Sequence, residues 1–431
     1  MSLNLDARML KAIEDRAAEN FPNITVENGT YPNFFETFIA LHSSNEALPK
    51  RGDLAEIIES YTGELPSYQF ISDDISRRLN EIRKFDANNN PVKITDIEFF
   101  SDHRSYLKDA ISRFDSLPWE YIFSISLPKD SIRESMFNSD GIEFGQKCSI
   151  KKSDLLTEQT LPFETVPAHL EHRARGRQGI GALLLGPKGW SEENPYFRTE
   201  IFGYVPYTGL NNTVERVERN LESIMGLGLA MQIFSFNQTE NKAPTRLDWI
   251  VHRKIGDAWI FDSRFNVEES LSGAIMNIAS FKFPNTYPEE DRDKWIKYSS
   301  EKIGKVIESE LNSSLVLSSK WYFDSFRKSD HALTYVRLMT CLEILLGDRS
   351  NSSSMSLSEV IGNRLAFLIG NDIKERSNIL VKFKEIYNIR SRILHQGKHK
   401  LSTSDFSLMQ TLKSYCERAI RAEVDMIIAS R

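Results

Sequence analysis

Apolar residues recur at helical spacing in four successive stretches near the C-terminus, 330–347, 357–369, 374–395 and 405–428. A period of this kind leaves an apolar stripe along one side of each helix, and such stripes are stable only when buried against one another. The end of the chain is therefore restricted to a packed helical bundle. In the first stretch Leu333, Val336, Leu338, Leu342, Ile344, Leu345 and Leu346 are apolar, with Glu343 set among them. A serine-rich polar loop, 348–356, follows. In the third, Leu380, Phe383, Ile386, Tyr387 and Ile393 keep close to the helical period. Gly397 supplies a stop, because glycine readily takes left-handed backbone after a last turn.

The rest of the chain is mixed. Residues 3–20 read as a helix ended by Pro22 and Asn23, and 34–41 fit either a buried strand or a short helix. Helices are expected at 73–84, 105–114 and 213–224, the last with Thr213 as N-cap. Alternation and β-branched or aromatic residues predict strands at 92–100, 119–127, 179–185, 199–205, 226–236, 247–253 and 258–261. Residues 284–288 break the pattern, and 289–311 read as a long polar helix. The expected fold class is α+β. A strand-rich region of 1–285 would carry sensing or regulation, 286–319 a helical connector, and 320–431 the all-α bundle.

A chain of 431 residues accommodates roughly two or three domains. No apolar run is long enough to span a bilayer, so no membrane partner is expected. Charged residues from Asp6 to Arg16 deny the first segment the apolar core of a signal peptide. Cys148, Cys341 and Cys416 are scattered, which fits neither a disulfide framework nor a zinc site and suits a reducing cytoplasm. A net charge of −6 will not coat nucleic acid non-specifically, so any RNA contact must rest on a local patch.

Such a patch exists. No acidic residue lies between Glu385 and Asp405, and this window holds Arg390, Arg392, Lys398 and Lys400 with His395 and His399. The bland explanation is a cationic helix end, favoured by the partial negative charge of a helix C-terminus. Arg390 and His395, five residues apart, lie about 140° apart on an ideal helix and do not share a face. A second basic stretch, 172–181, contains glycines but no Gly-Lys-Ser/Thr, so it reads as a surface loop. His169, His172 and His252 lack metal-ligand spacing, and Asp248, Asp257 and Asp262 form no evident carboxylate pair.

The order helix, polar loop, helix, helix bearing Arg390-x4-His395, helix resembles the HEPN domains, in particular the Apea-like family, over the last quarter of the chain. Glu343 near the end of the first helix also fits. The resemblance implies a metal-independent endoribonuclease without cofactor, in which the substrate's 2′-OH attacks the adjacent phosphorus and leaves a 2′,3′-cyclic phosphate. Arg390 and His395 would be catalytic, with Glu343 and Ser391 supporting them. Arg392, Lys398, His399 and Lys400 would hold RNA. The resemblance further implies a homodimer with a composite site, and a role in anti-phage defence through cleavage of RNA such as tRNA, with a phage-derived trigger at the N-terminal region. Two rival readings stand beside it: a non-catalytic HEPN module binding RNA or protein, and a helical dimerisation domain attached to an N-terminal enzyme.

Overall fold

The computed structural model describes residues 2–27, 31–82, 91–137, 141–152, 194–206, 211–237, 246–284, 286–309, 313–327, 330–347, 355–396 and 400–429. The strand expected at 179–185 and the basic stretch 172–181 lie outside them.

Two apolar cores organise the chain. The first is built by α1 (Ala7–Asn20), α2 (Phe34–His42), α3 (Asp53–Thr62), α4 (Pro66–Ile82) and α5 (His103–Asp115). A small sheet of β1 (Thr25–Glu27), β2 (Tyr31–Pro32) and β3 (Val92–Lys93) completes it. Asp6 caps α1 by accepting from the amides of Arg8 and Met9. Ile13 and Ala17 then fall one turn apart and are fully buried, as are Ile71 and Ile75 on α4. Where a strand was expected at 92–100, only two residues pair; tight turns at Ile94–Asp96 and Glu98–Phe100 follow, placing Ile94 and Phe100 in the core.

The second core begins at a six-stranded sheet, with the short helix α6 (Glu134–Phe137) between the first two of its strands in the chain. Its members are β4 (Trp119–Ser126), β5 (Ile142–Phe144), β6 (Cys148–Lys151), β7 (Tyr196–Gly203), β9 (Asp248–Ile255) and β10 (Ala258–Asn266). They lie in the order β10-β9-β4-β7-β6-β5, and every neighbouring pair is antiparallel. β4 pairs with β7 from Trp119↔Gly203 to Ser126↔Tyr196. Alternation sends Tyr121, Phe123, Ile125, Phe197, Ile201, Trp249 and Val251 to one face, all buried. A separate two-stranded sheet joins β8 (Phe234–Phe236) to β11 (Ile278–Ser280), with the short helix α8 (Glu269–Ile275) before β11.

The helix α7 (Asn212–Ala230) runs through residues that the sequence assigned to a strand at 226–236. Its two late glycines are packing devices rather than breakers. A Cβ at Gly226 would run into the backbone of Ser319, and one at Gly228 into the ring of Phe234. The N-cap is Asn211, whose side chain accepts from the Val214 amide. Thr213 instead turns its hydroxyl to the carbonyl of Tyr61, 3.2 Å away.

Six helices follow: α9 (Glu289–Ile307), α10 (Ser313–Asp324), α11 (His331–Leu346), α12 (Leu357–Ile369), α13 (Ile373–Gln396) and α14 (Thr403–Ala429). The fold is thus α+β, with the bundle where the periodicity places it. α10 straddles the expected boundary between connector and bundle at 319. It buries Leu315, Ser318, Ser319, Tyr322 and Phe323, and it packs between α7 and α11. The apolar core therefore passes without a break from Tyr121 on the sheet to Val424 on α14. The two cores meet at residues 117–119, where Trp119 packs against both. Among the described residues no helix is long and apolar enough to cross a membrane.

Candidate functional site

α13 is fixed by a buried stripe of Ile379, Phe383, Ile386 and Ile389, and its Ile386 carbonyl accepts from the Tyr335 hydroxyl at 2.9 Å. Arg390, one residue past this stripe, is held between two elements. Its Nη2 lies 3.2 Å and 3.3 Å from the two carboxylate oxygens of Glu343 on α11, and its guanidinium sits 5.7 Å from the Tyr387 ring centre. Both charged side chains are about one-fifth exposed, at 23% and 19%. Exposure at this level leaves the guanidinium open to a second anion while the carboxylate fixes its direction.

His395, near the end of the same helix, is exposed, and Ser391 is half-buried. The five-residue step separates Arg390 from His395 around the helix, as the ideal geometry requires. Within one protomer the structure thus brings Glu343 to Arg390 but does not bring His395 to either.

Arg392 is placed differently from a free phosphate-binding arginine. Its Nη2 lies 3.1 Å from Asp405, a carboxylate only 6% exposed. Asp405 also accepts from the Ser402 amide at 3.0 Å, while its own amide donates to the Ser402 hydroxyl at 3.2 Å. The reciprocal pair caps α14, and Arg392 ties that cap to α13. Asp405 in turn lies close enough to help raise the titration of Tyr335 above its ordinary value, an effect due chiefly to burial of the phenol. Lys400 is exposed in the turn between α13 and α14. Lys398 and His399 lie outside the described residues.

In the sequence Asp405 stands out only as the end of an acid-free window, and His331 not at all. His331 opens α11, and its ring packs edge-on to Phe406 at 5.2 Å, in the first turn of α14. An acid three residues after a serine at a helix start is the legible signal for the first. Nothing in the spacing of His331 announces the second.

The remaining candidates resolve into structural roles. His252 on β9 is fully buried, with neither ring nitrogen hydrogen-bonded among the described residues. Burial, together with the charge of Arg198, pushes it down to about 4. Asp248 pairs with Arg264 on β10, and Asp262 with Arg77 of α4 at 3.1 Å. All three cysteines are buried free thiols. Among the described residues no group of three His, Cys, Asp or Glu side chains is placed to hold a metal ion. Comparison with protein-family models, curated proteins and solved structures gave no match.

Proposed function

We propose that the chain is a HEPN-type endoribonuclease of the cytoplasm whose catalytic pair is Arg390 and His395. The observation that carries this reading is the Glu343–Arg390 pair, which holds a partly exposed planar guanidinium on the helix that also presents His395. A guanidinium matches two phosphate oxygens and offsets charge developing on them. An imidazole moves protons near neutral pH. In the reaction the RNA 2′-oxygen bonds to phosphorus as its proton is removed. The bond to the 5′-oxygen breaks, and that oxygen takes up a proton. A cyclic phosphate and a 5′-hydroxyl remain, and no cofactor or metal is required by these steps.

Because Arg390 and His395 lie on different sides of α13, the site is completed in a homodimer, where a two-fold contact brings a second pair into the same cleft. Ser391 supports the pair, while Arg392, partly exposed beside Asp405, and Lys400, with Lys398 and His399, hold the RNA backbone. The residues before the bundle sense a trigger, phage-derived in the defence setting we propose, and the substrate is an RNA such as tRNA. The engagement of Arg390 with Glu343 equally supports the second reading, a non-catalytic module binding RNA or protein.

Activity separates the two readings. His395→Ala, and Arg390→Lys, which keeps a positive charge beside Glu343 but loses the planar fork, should fold normally and lose on the order of 10²–10⁴-fold in cleavage rate. Cleavage by the parent should survive EDTA and leave cyclic-phosphate ends. Arg392→Ala, in contrast, should lower stability through Asp405 and weaken RNA binding in a salt-dependent way while retaining part of the turnover. Equal cutting by His395→Ala and the parent would remove the nuclease reading.

A further inference from the structure

The face of the six-stranded sheet that turns away from the second core is also buried at its centre. Ser124 of β4 stands opposite Arg198 of β7 on one side and Ile250 of β9 on the other. His252 lies two residues beyond Ile250, opposite Ile122. Ser124 and His252 are each 0% exposed, and Arg198 is 6% exposed. Three polar side chains thus come from three adjacent strands of one face. With strands about 4.8 Å apart, Arg198 and His252 rise from rows roughly 10 Å apart, with the short Ser124 in the row between.

Two of these groups lack a hydrogen bond. Neither ring nitrogen of His252 has a partner among the described residues, and neither has the Ser124 hydroxyl. On the same strand the Ser126 hydroxyl, by contrast, accepts from the side-chain amide of Asn194 at 3.1 Å. A bond left unmade at a buried polar group costs about 1–3 kcal/mol. An imidazole and a hydroxyl kept at diagonal positions on one buried face therefore call for a group that both can bond. Burial holds the imidazole neutral at neutral pH, so one of its ring nitrogens donates, as the hydroxyl can.

Charge decides what that group is. Arg198 is close enough to His252 to disfavour a second positive charge there. It is also the one buried charged side chain on this face among the described residues. Its neighbours offset one another or stand in solvent: Asp248 pairs with Arg264, Lys254 pairs with Glu120 at 3.0 Å, and Glu200 is exposed. Asp262, which also acts on His252, is held by Arg77 and Arg253. A cation here meets the field of Arg198, whereas an anion is drawn by it.

We propose that the centre of this face binds a small oxyanion of the phosphate or carboxylate class, with Ser124 and His252 donating to its oxygens in the field of Arg198. Arg198 acts through its charge, whatever else its guanidinium bonds. The inference rests on no part of the nuclease reading, and its test measures binding alone.

The probe is inorganic phosphate, equilibrated overnight with full-length protein carrying carbon-13 in its histidine rings, with acetate and chloride in parallel at matched ionic strength. The His252 signal is identified by its loss in His252→Gln or, should that variant not fold, as the ring held neutral below the ordinary histidine range. Phosphate or acetate should shift that signal saturably, with half-saturation near about 1 mM, and the tighter of the two names the source. Chloride should leave it in place. Ser124→Ala removes one donor and should weaken the effect about fivefold, circular dichroism confirming that the variant is folded. No saturable shift with phosphate or acetate up to about 50 mM would overturn the proposal and leave a buried water as the partner of both groups. So would an equal shift with chloride, or an unchanged affinity in Ser124→Ala.

Discussion

His252 shows how one side chain can set the response of the whole protein to acid. An unfolded chain would hold this imidazole near 6.5, whereas in the fold it is pushed down to about 4. Between those values the unfolded state binds the proton and the folded state refuses it, so stability rises with pH across that window and falls as pH is lowered through it. The full penalty, reached below the folded value, is on the order of 3–4 kcal/mol at roughly 1.36 kcal/mol per unit. Half-buried carboxylates such as Glu218 and Asp248 are shifted upward chiefly by desolvation and act with the opposite sign. The clean measurement is therefore a difference. In urea unfolding at pH 7 and pH 4, the parent should lose more stability on acidification than His252→Leu. An equal loss in both would mean that the imidazole is solvated in the fold.

At the scale of elements, legibility followed whether burial is one-sided. α11 to α14 each bury one stripe against the bundle, so their apolar period survives in the sequence, and the observed bounds Leu357–Ile369 and His331–Leu346 sit at or within a residue of those expected. The β4 strand was legible although both of its faces are buried from Tyr121 to Ser126, because its large residues Tyr121, Phe123 and Ile125 alternate with the smaller or polar Ile122, Ser124 and Ser126. α10 was not, because it is packed between neighbours and its serines do the work that an apolar stripe would do elsewhere. Ser319, for instance, presents its backbone to Gly226. The candidate site divides likewise. Arg390 and His395 were visible as a spacing, whereas the engagement of Arg392 by Asp405 depends on how two helices meet. The α7–α10 crossing gives a paired test. Gly226→Ala gains helix propensity of about 1 kcal/mol but drives a Cβ into the Ser319 backbone, so a net loss of about 1–3 kcal/mol is expected. Gly273→Ala in α8 meets no atom within 4 Å and should raise stability by about 0.5–1 kcal/mol. Chemical denaturation of both variants checks the contrast. A Gly226→Ala protein as stable as the parent would show that the two helices can separate at little cost.

The layout of the two cores determines where the molecule can be divided. The sequence suggests releasing the bundle by cutting at 289, but the structure ties that bundle to the sheet through buried polar contacts as well as apolar ones. Glu222 of α7 pairs with Lys320 at 2.9 Å and with Arg327, which also reaches Glu268 at 3.0 Å. Ser223 donates to the Val316 carbonyl at 3.0 Å, and Arg421 of α14 donates twice to the Ala230 carbonyl that ends α7. A fragment of 289–431 would take Glu222 away from Lys320 and Arg327, leaving Asp324 as their shared partner, and would expose the face of α10 that covers α7, a large loss of burial for a domain of that size. The contacts across residue 118 are fewer and more polar at their edges. Phe70 packs on Trp119 and Tyr204, Arg77 pairs with Asp262, and Asn211 bonds to the Tyr61 carbonyl. Asp262 keeps Arg253 at 3.6 Å when Arg77 is removed. Residues 119–431 should therefore unfold cooperatively on heating with the far-UV signal of a folded α+β protein, and 289–431 should aggregate or melt without a transition. A soluble, cooperatively folded 289–431 would show that the bundle closes its own core. If the prediction holds, any restraint on Arg390 and His395 that can be lifted by removing a folded unit must come from residues before 118, because the sheet and the bundle are one cooperative body.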